Sequence, residues 1–493
     1  MKTKKLLKHG WQGRWLQLAK NAGEQLHRVR PELNKRERLG LLDAVRSNPS
    51  LFLNDPVLEP LARALMQDRQ TAGAAGPANG TPSRKTPDAA PGTSPSPMPP
   101  LSVELMPQPA PYRIWGREDI DPAALEQMDV AARLPVACRG ALMPDAHVGY
   151  GLPIGGVLGL YGAVCPYAVG VDIACRMRLT LVDAPPDQTL EPGRREHLCR
   201  ALLSQTRFGV GAEFEHPHTH DVMDDPDWNA VPWIREQLKD TAWRQLGTSG
   251  AGNHFVEFGV LELTDGSDLG LEPGNYLALM SHSGSRQLGA RICEHYSRLA
   301  RDRCRLPSVA RHLAYLPLET QEGQEYWIAM NLAGRYAAAN HEIIHRRVLG
   351  ALGFTPVAHV ENHHNFAWRE THEGREIIVH RKGATPAARG LLGVIPGSMA
   401  DPGYLVRGLG DPASLLSAAH GAGRALGRKE ARRRISHAER DALLKERGVL
   451  LLGGGLDESP QAYKSIHAVM ASQRDLVQPI GEFRPKIVLM ADD

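Results

Sequence analysis

Apolar residues recur along this chain in two rhythms, separated by a stretch that has none. Before residue 70, LQLAKNAGEQLHRV, RERLGLLDAVRS and EPLARALMQ set apolar side chains three and four residues apart, the spacing of one helix face. They predict three short helices. Residues 71–100, TAGAAGPANGTPSRKTPDAAPGTSPSPMPP, are almost wholly Ala, Gly, Pro, Ser and Thr. So little side chain can be buried there that nothing offsets the entropy of ordering the backbone, and a flexible linker is expected. Beyond residue 100 the rhythms mix. HFVEFGVLEL, YLALMSH, REIIVH and KIVLM read as strands, whereas EYWIAMNLAGRYAAANHEIIHRRVLGAL and SPQAYKSIHAVMAS read as helices. No repeat of fixed period and no second low-complexity break interrupts them. The expected organisation is a basic helical module over residues 1–70, a linker over 71–100 and one large α+β domain over 101–493.

Composition changes this picture in two places. The whole chain carries +3, but residues 1–70 hold fourteen Lys and Arg against seven Asp and Glu, so the head is basic and the remainder net acidic. Such a head is either a solvated helix surface or a docking surface for RNA. Six cysteines (Cys138, Cys165, Cys175, Cys199, Cys293 and Cys304) form no CxxC pair, which points to a reducing compartment and not to a disulfide framework. MKTKKLLKHGWQGRW has no apolar stretch of signal-peptide length, and GLPIGGVLGLYGAVC is too broken by glycine and proline to span a bilayer. A cytoplasmic protein without a membrane partner is expected.

The candidate chemistry sits where strands meet glycine loops. MPDAHVGYGLPIGG, GVDIACRM, GTSGAGNHFVEF, SHSGSRQLG, ENHHNFAW and HGAGR each hold a metal-competent side chain among small or polar residues. Asp172 and Cys175 are three apart, close enough for a carboxylate and a thiolate to meet one ion, and a thiolate can bridge two. His254 begins a strand-like run, His282 ends one, and His364 lies in the NHHN turn. Together they make a mixed-ligand site suited to Mn²⁺, Zn²⁺ or a similar divalent ion, and a pair of ions suits phosphoryl chemistry. His363 is a rival ligand, as are His216, His218 and His220 in EHPHTHD, which reads as an exposed loop. In AAHGAGRALGRK the glycines let backbone amides approach an anion, and Arg424 and Arg428 add charge. His420 stands where a phosphate loop normally offers lysine. GAGNH lacks the βαβ context of a dinucleotide fingerprint, and no Walker motif is present.

Taken in order, MPDAHVGYGLPIGGV, GVDIACRM, GTSGAGNHFVE, SHSGSRQLGARI, HNFAW, HRKGAT, IPGSM, HGAGR and AYKSI resemble the RtcB family of GTP-dependent RNA ligases. The resemblance spans residues 105–490 and leaves the head and linker outside. It implies an α+β domain with a deep two-metal cleft. On matching positions Asp172, Cys175 and His254 would hold one Mn²⁺, and Cys175, His282 and His364 the second. Nucleotide-contacting positions are matched by Asn253, His254, Phe255, Val256, Glu257, His364, Asn365, Pro396, Gly397, Ser398, Met399, Gly421, Ala422, Gly423 and Arg428, and Tyr463 matches a ring that stacks on guanine. His420 matches the histidine that becomes guanylylated. The implied reaction joins RNA 3′-phosphate or 2′,3′-cyclic phosphate ends to 5′-hydroxyl ends in RNA repair or tRNA splicing, with GTP as cofactor and an activating helper protein among the partners the resemblance raises.

The departures from the family pattern gather around the nucleotide. Ala400, Asp401 and Gly403 follow IPGSM where small or hydroxyl residues are usual, and Asp401 brings a negative charge. The chain ends KIVLMADD and aligns Met490 with a lysine that reaches guanine in the family. Lys486, four residues earlier on the same strand, is the nearest substitute. Arg176 stands beside Cys175 where glycine is common. These changes spare the expected ligands and His420, so altered nucleotide preference is one alternative. A metal-dependent cyclic phosphoesterase or nucleotidyltransferase and a non-catalytic RNA-end binder are the others.

Overall fold

The computed structural model describes residues 101–492 without a break and, in the first hundred, residues 6, 11, 13–29, 35–47, 55, 57–62 and 64–65. The chain divides into two units, Met1–Ser96 and Pro97–Asp493. In the first, helices cover Gly13–Val29 and Lys35–Ser47, and residues 59–62 and 64–65 are also helical. The three- and four-residue spacing of their apolar positions gathers Ala19, Leu26, Leu42, Val45, Leu58 and Leu61 into one small core. The expected linker, residues 71–100, lies outside the described residues.

The second unit is α+β. Strands Pro356–His363, Arg176–Val182, Gly274–Ser283, Phe255–Leu263, Val477–Met490, Gly403–Gly408 and Leu392–Ile395 pair antiparallel in that order, and Leu450–Gly453 joins Val477–Met490 in parallel. Side-chain alternation gives this eight-stranded sheet two different faces. Val256, Phe258, Leu277 and Leu279 pack with Leu198 and Leu202 of helix Pro192–Gln205 and with Ile344 and Val348 of helix Gln321–Leu352. Met177, Leu179, Leu261, Met280 and Phe483 pack on the other face. A five-stranded sheet runs Asn365–His372, Arg375–Lys382, Ile154–Leu160, Ala137–His147, Tyr112–Ile114. Leu142, Leu158, Leu160 and Ile378 of this second sheet share the largest core with the helices Arg286–Arg303 and Gln321–Leu352.

Two local expectations change. SPQAYKSIHAVMAS is helical only over Ile466–Ser472, preceded by a single 3₁₀ turn at Pro460–Ala462. Ser465 caps the helix by accepting the Ala468 amide, which starts it late and leaves Tyr463 extended at φ −111°, ψ 157°. The NHHN segment is no turn. His363 ends a strand of the eight-stranded sheet and Asn365 begins one of the five-stranded sheet, so His364 is the single residue at which the chain passes between them.

Candidate functional site

Residues brought to the strand ends of the two sheets surround a cavity of about 1150 Å³. Cys175 directly precedes strand Arg176–Val182, His254 directly precedes Phe255–Leu263, His282 lies near the end of Gly274–Ser283, and His364 occupies the crossing. The loop before Cys175 is tightly fixed. Buried Ala174 takes the left-handed conformation at φ 57°, its amide donates to the Asn365 carbonyl at 2.7 Å, and the Cys175 amide donates to the Asp172 carbonyl at 3.1 Å. A side chain at Gly284 would meet an Asp172 carboxylate oxygen at 2.2 Å, so glycine there lets the carboxylate in.

Five candidate ligands converge. His254 Nε2 stands 2.9 Å from Asp172 Oδ2 and 3.3 Å from Cys175 Sγ, while His282 Nε2 stands 3.1 Å from Cys175 Sγ and 3.2 Å from His364 Nε2. Two sets of donor atoms, Asp172–Cys175–His254 and Cys175–His282–His364, each lie within 4.8 Å of one another and share the sulfur. The outer ring nitrogens set the tautomers. His254 Nδ1 is 2.7 Å from the Ser249 carbonyl and His282 Nδ1 is 2.9 Å from the Asn253 carbonyl; a carbonyl only accepts, so each Nδ1 carries the proton and each Nε2 turns a lone pair inward. Burial and neighbouring imidazoles push His282 down to about 3 and His364 well below the ordinary imidazole range. Burial works against the Asp172 charge, yet its contact with the His254 ring and the charge of the Arg286 guanidinium keep its carboxyl below the usual value. Burial, then the Asp172 carboxylate, raises the Cys175 thiol well above its usual value. Asp172 Oδ1 and His364 Nδ1 are buried without a hydrogen-bond partner. Lone pairs that face one another, an orphaned carboxylate oxygen and a thiol needing a cation to ionise form a donor set that fits divalent metal.

His420 adjoins this cluster, its ring centroid 4.8 Å from that of His364. Its Nδ1 lies 2.6 Å from Asp145 Oδ2, which also accepts the His420 amide at 3.2 Å. Asp145 is 0% exposed. The carboxylate can only accept from Nδ1–H, so Nε2 is left as the free lone pair. Gly423, at φ 73°, passes so close to the Asp145 carbonyl that a Cβ would meet it at 2.1 Å. The glycines of HGAGR therefore bring the loop against the strand carrying Asp145.

A family model described as "tRNA-splicing ligase RtcB" matches residues 127–491. The chain belongs to the RtcB family. The RNA-splicing ligase RtcB of Escherichia coli (strain K12) is 32% identical over 415 residues, covering 76% of this chain and 96% of that protein. The RNA-splicing ligase RtcB of Mycobacterium tuberculosis (strain ATCC 25618 / H37Rv) is 31% identical over 424 residues, 72% of this chain and 97% of its own length. The tRNA-splicing ligase RtcB of Nanoarchaeum equitans (strain Kin4-M) is 28% identical over 463 residues, covering 77% and 95%.

Most of the expected residues share the cavity. Asp172, Cys175, His282 and His364 line it with Asn253, Phe255, Glu257 and Asn365, as do the loop Pro396, Gly397, Ser398 and Met399 and the group His420, Gly421, Ala422, Gly423, Arg428 and Tyr463. Val256 does not join them. Strand alternation turns its side chain to the helix-covered face, where it is fully buried. His254 reaches the cluster from behind and is absent from the cavity lining. The rival histidines are employed elsewhere: His363 packs on Phe366 and Trp368, and His220 caps Val222, while His216 and His218 lie with it in a loop.

The departures take definite places. Met490 ends its strand opposite Phe255, and Val488 sits opposite Glu257, so one sheet face presents Phe255, Glu257, Val488 and Met490 to the cavity. Glu257 is 4% exposed, burial pushes its carboxyl well above the usual value, and no hydrogen-bond partner holds it among the described residues. Lys486 is no substitute, because the register shifts between Pro485 and Ile487 and its side chain does not line the cavity. Ser398 donates its hydroxyl to Asp401 Oδ2 at 2.6 Å. Arg176 turns from Cys175 to Glu361 at 2.7 Å. Arg424 and Arg428, expected on phosphates, are paired with buried carboxylates: Arg424 with Glu458 at 3.1 Å, Arg428 with Asp457 at 2.8 Å and with Glu458. Glu458 also binds the Tyr463 hydroxyl, and the Arg424 guanidinium lies 5.2 Å from the Tyr463 ring centre.

Two cavity residues, Lys382 and Lys464, and the fully buried Asp145 that holds His420 escaped the sequence reading. Asp145 lay in the quoted MPDAHVGYGLPIGG without an assigned role. Lys382, whose ammonium burial pushes down to about 8, and Lys464, which donates to the Ala146 carbonyl at 2.8 Å, lay inside quoted motifs without an assigned role.

Proposed function

We propose that this chain is an RNA ligase that joins 3′-phosphate or 2′,3′-cyclic phosphate ends to 5′-hydroxyl ends through a guanylylated His420, using GTP and Mn²⁺. The observation that carries the reading is a buried carboxylate, Asp145, holding Nδ1 of a cleft histidine whose ring centre lies 4.8 Å from that of His364 in a cluster of metal-competent side chains. Asp172, Cys175 and His254 would hold one ion, and Cys175, His282 and His364 a second. Bound there, the ions would supply neutralisation of phosphoryl charge.

His420 Nε2 supplies the electron pair for a P–N bond to the α-phosphorus of GTP, and the P–O bond to pyrophosphate breaks. Asp145 keeps the proton on Nδ1 and stabilises the ring as it becomes cationic. An RNA 3′-phosphate oxygen then takes the nucleotidyl group, forming P–O–P as P–N breaks; a cyclic end is first opened by water. Finally the RNA 5′-hydroxyl oxygen attacks the 3′-phosphorus, a phosphodiester forms, GMP departs and the hydroxyl proton is released. Asn253, Glu257, Asn365, Ser398 and the loop at 420–423 are the proposed nucleotide contacts, with Tyr463 stacking on the base and Arg428 bordering the site.

Incubation with Mn²⁺ and α-labelled GTP or ATP is expected to leave acid-labile label on the wild-type protein and none on His420→Ala. No label with any nucleotide at saturating metal would sink the reading. Opening of cyclic ends without joining would instead identify a phosphoesterase.

A further inference from the structure

Exposed apolar side chains line the cleft. Val148, Tyr150 and Val171, which are 49%, 70% and 50% exposed, line the same cavity as His420 and the candidate ligands. The Tyr150 ring meets His312 edge-on with centroids 5.8 Å apart, and His312 meets Tyr167 edge-on at 5.2 Å. Three rings are thus joined in series. Burial, then Arg311, Arg301 and Lys382, keep His312 below its ordinary value.

The mount is stiff although its tip is bare. The Gln127 side-chain amide donates to the Gly149 carbonyl at 2.6 Å and accepts the Gly149 amide at 3.0 Å. Lys382 Nζ donates to the Tyr150 carbonyl. The next residue, Gly383, donates its amide to Asn365 Oδ1 at 2.8 Å, and Asn365 Nδ2 donates to the carbonyl of Asp172 at 3.2 Å. Tyr150 and the ligand loop therefore belong to one hydrogen-bonded frame. Folding normally withdraws apolar surface from water. A rigidly held aromatic left in water beside a cleft suits a partner with a flat apolar face.

Resting on the ligase reading, we propose that Tyr150, backed by His312 in a cavity whose lining also exposes Val148 and Val171, is a stacking platform for an unpaired base of the RNA end entering the cleft. Every base has a π-face, so such a contact serves RNA of any sequence, and only an unpaired base can offer that face. Arg311, exposed and 3.2 Å from the His312 ring, puts positive charge beside the platform for the adjoining phosphates.

The test uses the full-length protein with Tyr150→Ala and Tyr150→Phe, a fluorescent single-stranded oligoribonucleotide bearing a 3′-phosphate, and its blunt duplex. The alanine variant is expected to bind the single strand about tenfold more weakly, the phenylalanine variant about as tightly as wild type, and neither to change duplex affinity. Labelled adduct formation without RNA should match wild type in both. Equal single-strand affinity in wild type and Tyr150→Ala overturns the platform, as does an equal loss in Tyr150→Phe, which would mark a hydroxyl contact. Absence of adduct in all three proteins with the binding difference intact defeats the ligase reading and leaves the platform standing.

Discussion

Asp145 decides which nitrogen of His420 faces the cleft. The carboxylate at 2.6 Å keeps the proton on Nδ1; without it the ring could carry that proton on Nε2, offering N–H where a lone pair is needed. Asp145→Asn keeps the size of the side chain but can donate as well as accept. In the proposed reaction it is expected to slow adduct formation roughly a hundredfold or more while leaving nucleotide binding near wild type, read from single-turnover labelling across nucleotide concentrations. An unchanged labelling rate would remove Asp145 from the mechanism. Arg424 and Arg428 teach the opposite lesson at the same scale. Their neighbourhood in a glycine loop suggested phosphate, but Asp457 and Glu458, about thirty residues away in sequence, reach them first. Charge alone along a chain does not reveal its partner.

Among the elements, the helix Gln321–Leu352 does more than cover the eight-stranded sheet. It carries His341 and His345 on one face, one turn apart. Ser281, beside the candidate ligand His282, joins both rings: its hydroxyl lies 2.6 Å from His341 Nδ1 and 2.8 Å from His345 Nε2, while His345 Nδ1 meets the Thr180 hydroxyl at 2.8 Å. All four side chains are buried. Ser281→Ala would strand two buried ring nitrogens, with an expected loss of about 2 kcal/mol or more from the stability of the second unit. Denaturant unfolding measures it, and an unchanged midpoint would show that the rings repartner. The strands themselves were legible because alternation is written in the sequence. Val256 was assigned to the nucleotide with its neighbours, and a strict period of two would have excluded it.

The whole molecule buries several imidazoles that remain neutral. His380, inside the five-stranded sheet, accepts the Cys165 amide at 2.9 Å on Nε2 and turns Nδ1 to the carbonyls of Ile378 and Leu158, and burial pushes it down to about 4. Burial likewise drives His341 and His345 well below their ordinary range. An unfolded imidazole titrates near 6.5. Between that value and about 4 the unfolded chain binds protons that the folded one refuses, so stability is full above about pH 6.5 and falls as pH drops through this window. Melting of the metal-free protein at a series of pH values is expected to follow this course, and a flat profile from pH 7 to 4 would contradict it. By itself the sequence determined the α+β class, the strands at Phe255–Leu263, Gly274–Ser283 and Arg375–Lys382 and the end of Val477–Met490, and the identity of the metal-competent side chains, because periodicity and residue chemistry are local properties. Only the tertiary structure decided that Cys175, His254, His282 and His364 come within bonding distance, that His364 lies at a crossing between sheets, that Asp145 stands behind His420 and that Tyr150 is left in water. Those facts depend on strand order and close approach between segments up to hundreds of residues apart, which no local pattern encodes.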